Sequence, residues 1–328
     1  MMYMLNKLKI IVTGLCLVAF CITAQAQQVK KKSPEQIALE LQYLDSLRKY
    51  EMELRTIGDS MIDGSSQLER AMSIKKFIPT LVKTLQFPGS IDYPFDSLTF
   101  MKKLKPGDGS FRLYNWMLRF DDGTFRYYGA VHMNNPDSFK LYPLRDYTSR
   151  LDTSKIKNMQ LSTEEWMGAL YYEIIETKHR KKKYYTLLGW NGNTSKSNMK
   201  LLEVMHFEGG RPVFGAPIFK VKDELLHRVI YEFRNDAVMA LDFAPSNFII
   251  ILDHMVPPNE AAKGQYRVYV PDGTYDYFRL KKGKWVFYEM LFETYKKTIP
   301  EAGDYDDMLE TAPKAKTKEE MQEKKPVP

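Results

Sequence analysis

The 328 residues carry 48 Lys and Arg against 41 Asp and Glu, a formal net charge of +7, and 13% are aromatic. With no nucleic-acid motif beside it, so mild an excess of positive charge does not point to nucleic acid, and basic clusters such as Lys30-Lys31-Lys32 and His179 to Lys183 are read as solvated turns. The two cysteines, Cys16 and Cys21, both lie in the first 26 residues, which excludes disulfides, thiolate catalysis and cysteine metal sites from a chain processed after them.

The chain opens with Lys7 and Lys9, an apolar run from Ile10 to Ile22, and Thr23-Ala24-Gln25-Ala26-Gln27. That order is the layout of a secretory signal peptide over residues 1–26, cleaved after Ala26. The run is shorter than the roughly 20 residues a membrane-crossing helix needs, and every later apolar stretch is broken by charge, so no membrane span is expected in the mature chain. Leu15 precedes Cys16 and Phe20 precedes Cys21, which argues against lipid attachment at either. Export implies a periplasmic or extracellular location.

Residues 27–33 read as a basic linker. Ser33-Pro34-Glu35-Gln36 then supplies an N-cap, a proline at the first helical position and a glutamine placed for a capping box. Ile37, Leu41, Leu44, Leu47, Tyr50, Leu54, Ile57 and Met61 recur at steps of three and four and predict one apolar stripe, which Asp63-Gly64-Ser65 ends. A second helical pattern from about Ser66 to Leu85 uses Leu68, Met72, Phe77, Ile78, Leu81 and Val82, with Pro79 expected to kink or divide it. Residues 34–103 are therefore assigned to a helical hairpin region.

Residues 104–299 are assigned to an antiparallel β domain. Its predicted strands are 111–119, 124–133, 169–178, 184–190, 200–207, 228–233, 237–243, 248–253, 266–270, 275–280 and 284–290. Between them stand Asp122-Gly123, Asn191-Gly192, Gly209-Gly210, Pro271-Asp272-Gly273 and Lys282-Gly283, read as turns in which glycine supplies positive φ. The fold class is mainly β with an N-terminal helical hairpin, the β part a large antiparallel meander shaped as a twisted sheet, a sandwich or a barrel. The charged, proline-spaced tail 300–328 is expected to be disordered.

Five segments together carry a resemblance: Trp166 to Tyr172, Tyr184 to Asn193, Pro212 to Gly215, Asp253 to Pro257 and Pro271 to Asp276. Over a little more than a third of its length, the chain resembles a family of uncharacterised secreted bacterial proteins. The resemblance implies an envelope location and a β fold, and no mechanism. Met167 departs from the aromatic residue typical of the first segment.

The stretch Ile251-Leu252-Asp253-His254-Met255-Val256-Pro257-Pro258 sets a carboxylate beside an imidazole. On a strand they point to opposite faces, Asp253 with Ile249 and Ile251, His254 with Phe248, Ile250 and Leu252, so neither serves the other. Catalysis by either needs a partner from another strand. The structural reading has Asp253 accepting backbone N–H bonds where the prolines end the strand. Asp272 and Asp276 form a second carboxylate pair; on a regular strand they lie about 13 Å apart, beyond the roughly 5 to 10 Å of a glycosidase pair.

The histidines His132, His179, His206, His227 and His254 form neither H-x-H nor H-E-x-x-H, so no metal site is predicted. The stretch Gly189 to Asn198 alternates side-chain oxygens as a calcium loop does, but they are neutral and Lys196 stands among them, which favours a hairpin turn. No G-x-S-x-G and no glycine-rich phosphate cradle is present, so no cofactor is implied. Trp116, Trp166, Trp190 and Trp285, with Asn191 and Tyr275, are the binding candidates: aromatic faces can stack on sugars or anchor a protein, and they can equally fill a β core. The residues favour a binding or assembly role in the cell envelope, with an envelope protein or a glycan as partner, over an enzyme. The alternative is a hydrolase of envelope or glycan material using Asp253, His254, Asp272 and Asp276.

Overall fold

The computed structural model describes residues 32–152 and 155–289. The leader of residues 1–26, the linker up to residue 31 and the tail 300–328 lie outside them. The chain divides into two compact units at Thr99/Phe100. Two helices stand in the first and antiparallel sheets fill the second.

In the first unit, α1 (Pro34–Asp63) begins as its sequence predicts. Gln36 N–H donates to Ser33 Oγ and the Ser33 N–H donates to Gln36 Oε1, the reciprocal bonds of a capping box. Helix α2 (Gln67–Leu85) is capped by Ser66 and runs through Pro79 without a break in its helical assignment. The single apolar stripe expected on α1 is corrected. The buried positions are Leu47, Glu51, Leu54, Gly58 and Met61, whereas Ile37 and Leu41 are exposed. On α2 the inward residues are Ser73, Ile74, Phe77, Leu81, Thr84 and Leu85, while Leu68, Met72 and Ile78 face out. The buried Glu51 carboxylate binds the returning segment, accepting from the Tyr93 hydroxyl and from Ser97 N–H and Oγ. Among the described residues no helix is long and apolar enough to cross a membrane.

The second unit holds fifteen strands among its described residues, in three sheets. The first has the order β1 (Lys102–Leu104), β2 (Phe111–Arg119), β3 (Phe125–Met133), β4 (Leu141–Arg145). Its opening strand therefore starts inside the region assigned to the hairpin. The second sheet runs β11 (Val229–Arg234), β7 (Ser197–Glu208), β6 (Lys182–Asn191), β5 (Leu170–His179), with β8 (Arg211–Phe214) pairing the far half of β7. The third runs β10 (Glu224–Leu226), β9 (Phe219–Val221), β15 (Lys284–Tyr288), β14 (Val270–Lys281), β13 (Ile249–Val256), β12 (Leu241–Ala244). All pairs are antiparallel except β15 with β9.

Two cores lie on opposite faces of the second sheet. Phe111, Leu113, Tyr127 and Val131 of the first sheet pack with Tyr185, Leu187, Leu201 and Met205. Leu188, Leu202 and Val204, the next residues along the same strands, pack with Phe219, Ile250, Leu252, Phe278 and Trp285 of the third sheet. Because successive strand side chains alternate between faces, a strand buried on both sides loses the apolar–polar alternation, as Leu201 to Met205 does, where only Glu203 interrupts the apolar residues. Each fully buried Leu or Phe contributes about 1.5 to 3 kcal/mol. The middle sheet collects that contribution on both faces.

Three expectations fail locally. Residues Tyr266–Val268 form a short 3-10 turn, and β14 runs from Val270 through Pro271-Asp272-Gly273 instead of turning there. Gly192 does not take a positive φ; it is glycine because a Cβ would meet the Phe125 ring at 2.4 Å and Trp190 at 2.8 Å. The short strands β1, β4, β8, β9 and β10, absent from the prediction, have three to five residues each. That is too few for alternation to show.

Candidate functional site

The register of β13 against β14 builds the polar end of the third sheet. Leu252 pairs Asp276 and Asp253 pairs Tyr275, but Met255 pairs Pro271. Two steps on β13 thus answer four on β14, and Asp272-Gly273-Thr274 bulges out opposite His254. Gly273, at φ +89°, supplies the left-handed residue the bulge needs. Asp272 folds onto it, accepting from the N–H and hydroxyl of Thr274. Burial works against the Asp272 charge, yet those two donors and the nearby His254 hold its carboxyl below the usual range.

His254 lies two residues beyond Leu252, and so sits diagonally across from Asp276 on the same face. Its Nδ1 is 2.9 Å from Asp276 Oδ2. Asp276 is buried and His254 half-buried. This is the partner from another strand that a catalytic reading requires. Asp253 turns the other way: its Oδ2 accepts from Ala240 N–H at 2.8 Å, and its own N–H donates to Ala240 O. Those bonds come from the segment entering β12 and not, as expected, from the strand end at Pro257 and Pro258. Burial raises the Asp253 carboxyl, against the Ala240 N–H, and the neighbouring Asp242 and Asp272 raise it further. Among the described residues, no three His, Cys, Asp or Glu side chains gather to hold a metal ion.

The aromatic candidates are largely core. Trp166 is fully buried, with Nε1 donating to Tyr171 Oη at 3.0 Å. Trp285 is fully buried, with Nε1 donating to Thr186 Oγ1 at 2.9 Å and its ring stacked on Phe248. Trp116 is buried against Tyr128. Asn191 is buried, donating to Gly168 O and accepting from Asn193 N–H. Trp190, edge-on to Phe125, and Tyr275 are half-buried. Four of the six binding candidates therefore offer no free face to a ligand.

Two polar constellations were not legible in the sequence. Lys200 on β7 places Nζ 4.6 Å from the Tyr172 ring centroid and 3.2 Å from its hydroxyl, and burial lowers its pKa against the charges of Asp242 and Asp253. Glu203 and Arg228 form a fully buried ion pair, Nε to Oε2 2.7 Å. Arg228 also donates to the carbonyls of Ile156, Met159 and Phe214. The one available signal for Glu203 was a lone carboxylate inside Leu201-Leu202-Glu203-Val204-Met205.

The geometry defines a class, a mainly β protein of stacked sheets with an N-terminal helical hairpin. Compared with protein-family models, with curated proteins and with solved structures, the chain matches none.

Proposed function

We propose that the chain is exported and has a binding or assembly role in the cell envelope. The observation that carries this reading is the apolar side chains left in solvent on the helical unit: Ile37, Leu41 and Met52 on α1, Leu68 and Met72 on α2. Leu41 is 56% exposed and Leu68 73%. A single exposed apolar residue needs no explanation, but rows at helical spacing are the form in which a helix presents itself to a partner. Export rests on the layout of residues 1–26, and the burial of Trp116, Trp166 and Trp285 favours a protein partner over a sugar stacked on those rings.

Hydrolysis of envelope or glycan material is the second reading, favoured by the His254–Asp276 contact. Asp276 holds Nδ1 and leaves Nε2 as the nitrogen that would meet a substrate proton. One experiment separates the two. A photo-crosslinking residue in place of Leu41 or Leu68, expressed in envelope-bearing cells, is expected to give a discrete adduct that an equivalent residue at exposed Lys49 does not. Absence of any adduct from both positions would sink the binding role. Loss of an envelope-degrading activity in His254→Ala, with its adducts intact, would move the assignment to the hydrolase.

A further inference from the structure

The binding reading leaves the partner open, and the helical unit carries the features that select one. Helix α1 has 30 residues and α2 has 19, so at 1.5 Å per residue α1 outreaches its neighbour by about 16 Å. No α1 side chain before Leu47 is buried. At 100° per residue, Ile37, Leu41 and Leu44 lie about a quarter turn around the helix from Leu47, Leu54 and Met61. The overhang thus aims its apolar row away from the stripe that packs within its own hairpin.

That row has a counterpart. Ile37 and Leu41 are four residues apart, flanked by Glu40 and Asp45, and Glu35, Glu40 and Asp45 are the only charged residues from 34 to 45. On the outer face of α2, Leu68 and Met72 are also four apart and exposed, with Lys75 and Lys76 beside them. Helix α2 holds Arg70, Lys75, Lys76 and Lys83 against Glu69. Glu40 also meets Lys32, and Asp45 meets Arg48, in exposed pairs that contribute little. Overhang against overhang would set acid on acid. Overhang against α2 sets an apolar pair on an apolar pair with opposite charges at the rim.

We propose that the first three turns of α1 dock on the outer face of α2 in a second copy of this chain, and reciprocally, in a two-fold dimer. This rests on the binding reading and names the partner.

Sedimentation velocity on the full chain, purified as the host exports and processes it, tests the proposal at up to about 100 µM. A dimer that loosens with added salt is expected. Glu40→Lys with Asp45→Lys should weaken it about tenfold or more, as should Lys75→Glu with Lys76→Glu. All four together should restore it, each variant keeping the wild-type helical circular dichroism. As a readout independent of those variants, the Leu41 photo-adduct should map by mass spectrometry to residues 68–76 of another copy. A monomer at every concentration, or four substitutions that fail to restore a lost dimer, overturns the proposal. If the pure chain is monomeric but the Leu41 adduct holds a different protein, self-association fails and the binding role stands. If the chain is monomeric and gives no adduct, both fail.

Discussion

His132 sits on β3 with 5% of its surface exposed, between the rings of Tyr114 and Phe139. Burial and the charge of Arg112 push its pKa down to about 4 from the ordinary 6.5. The folded protein thus keeps this imidazole neutral where the unfolded chain takes up a proton. The associated stability is fully present above pH 6.5 and is lost as pH falls through 6.5 toward 4, by at most about 3 kcal/mol at 1.36 kcal/mol per unit. Urea unfolding at pH 7 and pH 4.5 checks this: the loss between the two should be about 2 kcal/mol smaller in His132→Gln than in the wild-type chain. Equal losses would show that His132 does not titrate differently on folding. At this scale the sequence showed which residues are ionisable and that neighbours on a strand diverge, as Asp253 and His254 do. It did not show that Asp276 meets His254, because the register that sets Leu252 opposite Asp276, and so His254 diagonal to it, is fixed by strand pairing and leaves no local signature.

Elements here are tied by bonds distant in sequence. The Glu203–Arg228 pair holds β7, the turn at Ile156 to Met159 and the end of β8 through one guanidinium. Burying two charges costs desolvation that their attraction offsets only while every donor and acceptor is satisfied, and removing one leaves the other stranded. Glu203→Leu alone should lower unfolding stability by about 3 to 5 kcal/mol, and Arg228→Met added to it should recover most of that loss. A double variant as unstable as the single one, measured by chemical denaturation, would mean that Arg228 acts mainly through its carbonyl contacts. Helix α1 was legible because its cap is local, Ser33 to Gln36. Strands β2, β6 and β7 were legible because they are long. The segment Tyr266–Val268 was not, since a tyrosine and valine run suits a strand and a turn alike until pairing decides.

At the scale of the β unit, the middle sheet belongs to two cores at once. Leu201 faces the first and Leu202 the second, one residue apart on β7. Leu201→Ala and Leu202→Ala should each cost about 2 to 5 kcal/mol, and each should shift one shared melting transition of the β unit, because the loosened strand is common to both layers. If calorimetry shows Leu202→Ala splitting off a separate low-temperature transition, the third sheet unfolds independently of the first. Layering of this kind was out of reach of the strand list: a doubly buried run says that both faces are covered and nothing about what covers them.

Composition, helix caps and strand alternation by themselves determined the class of fold, the start of helix α1 at Pro34 and the divergence of Asp253 from His254, since each depends on residues within a few positions of one another. Tertiary structure alone decided the stacking of three sheets, the strand register that brings His254 to Asp276, the burial of Trp116, Trp166 and Trp285 and the outward turn of Ile37 and Leu41. Those outcomes depend on which distant surfaces meet, and water is excluded from a side chain only where a partner from elsewhere in the chain covers it.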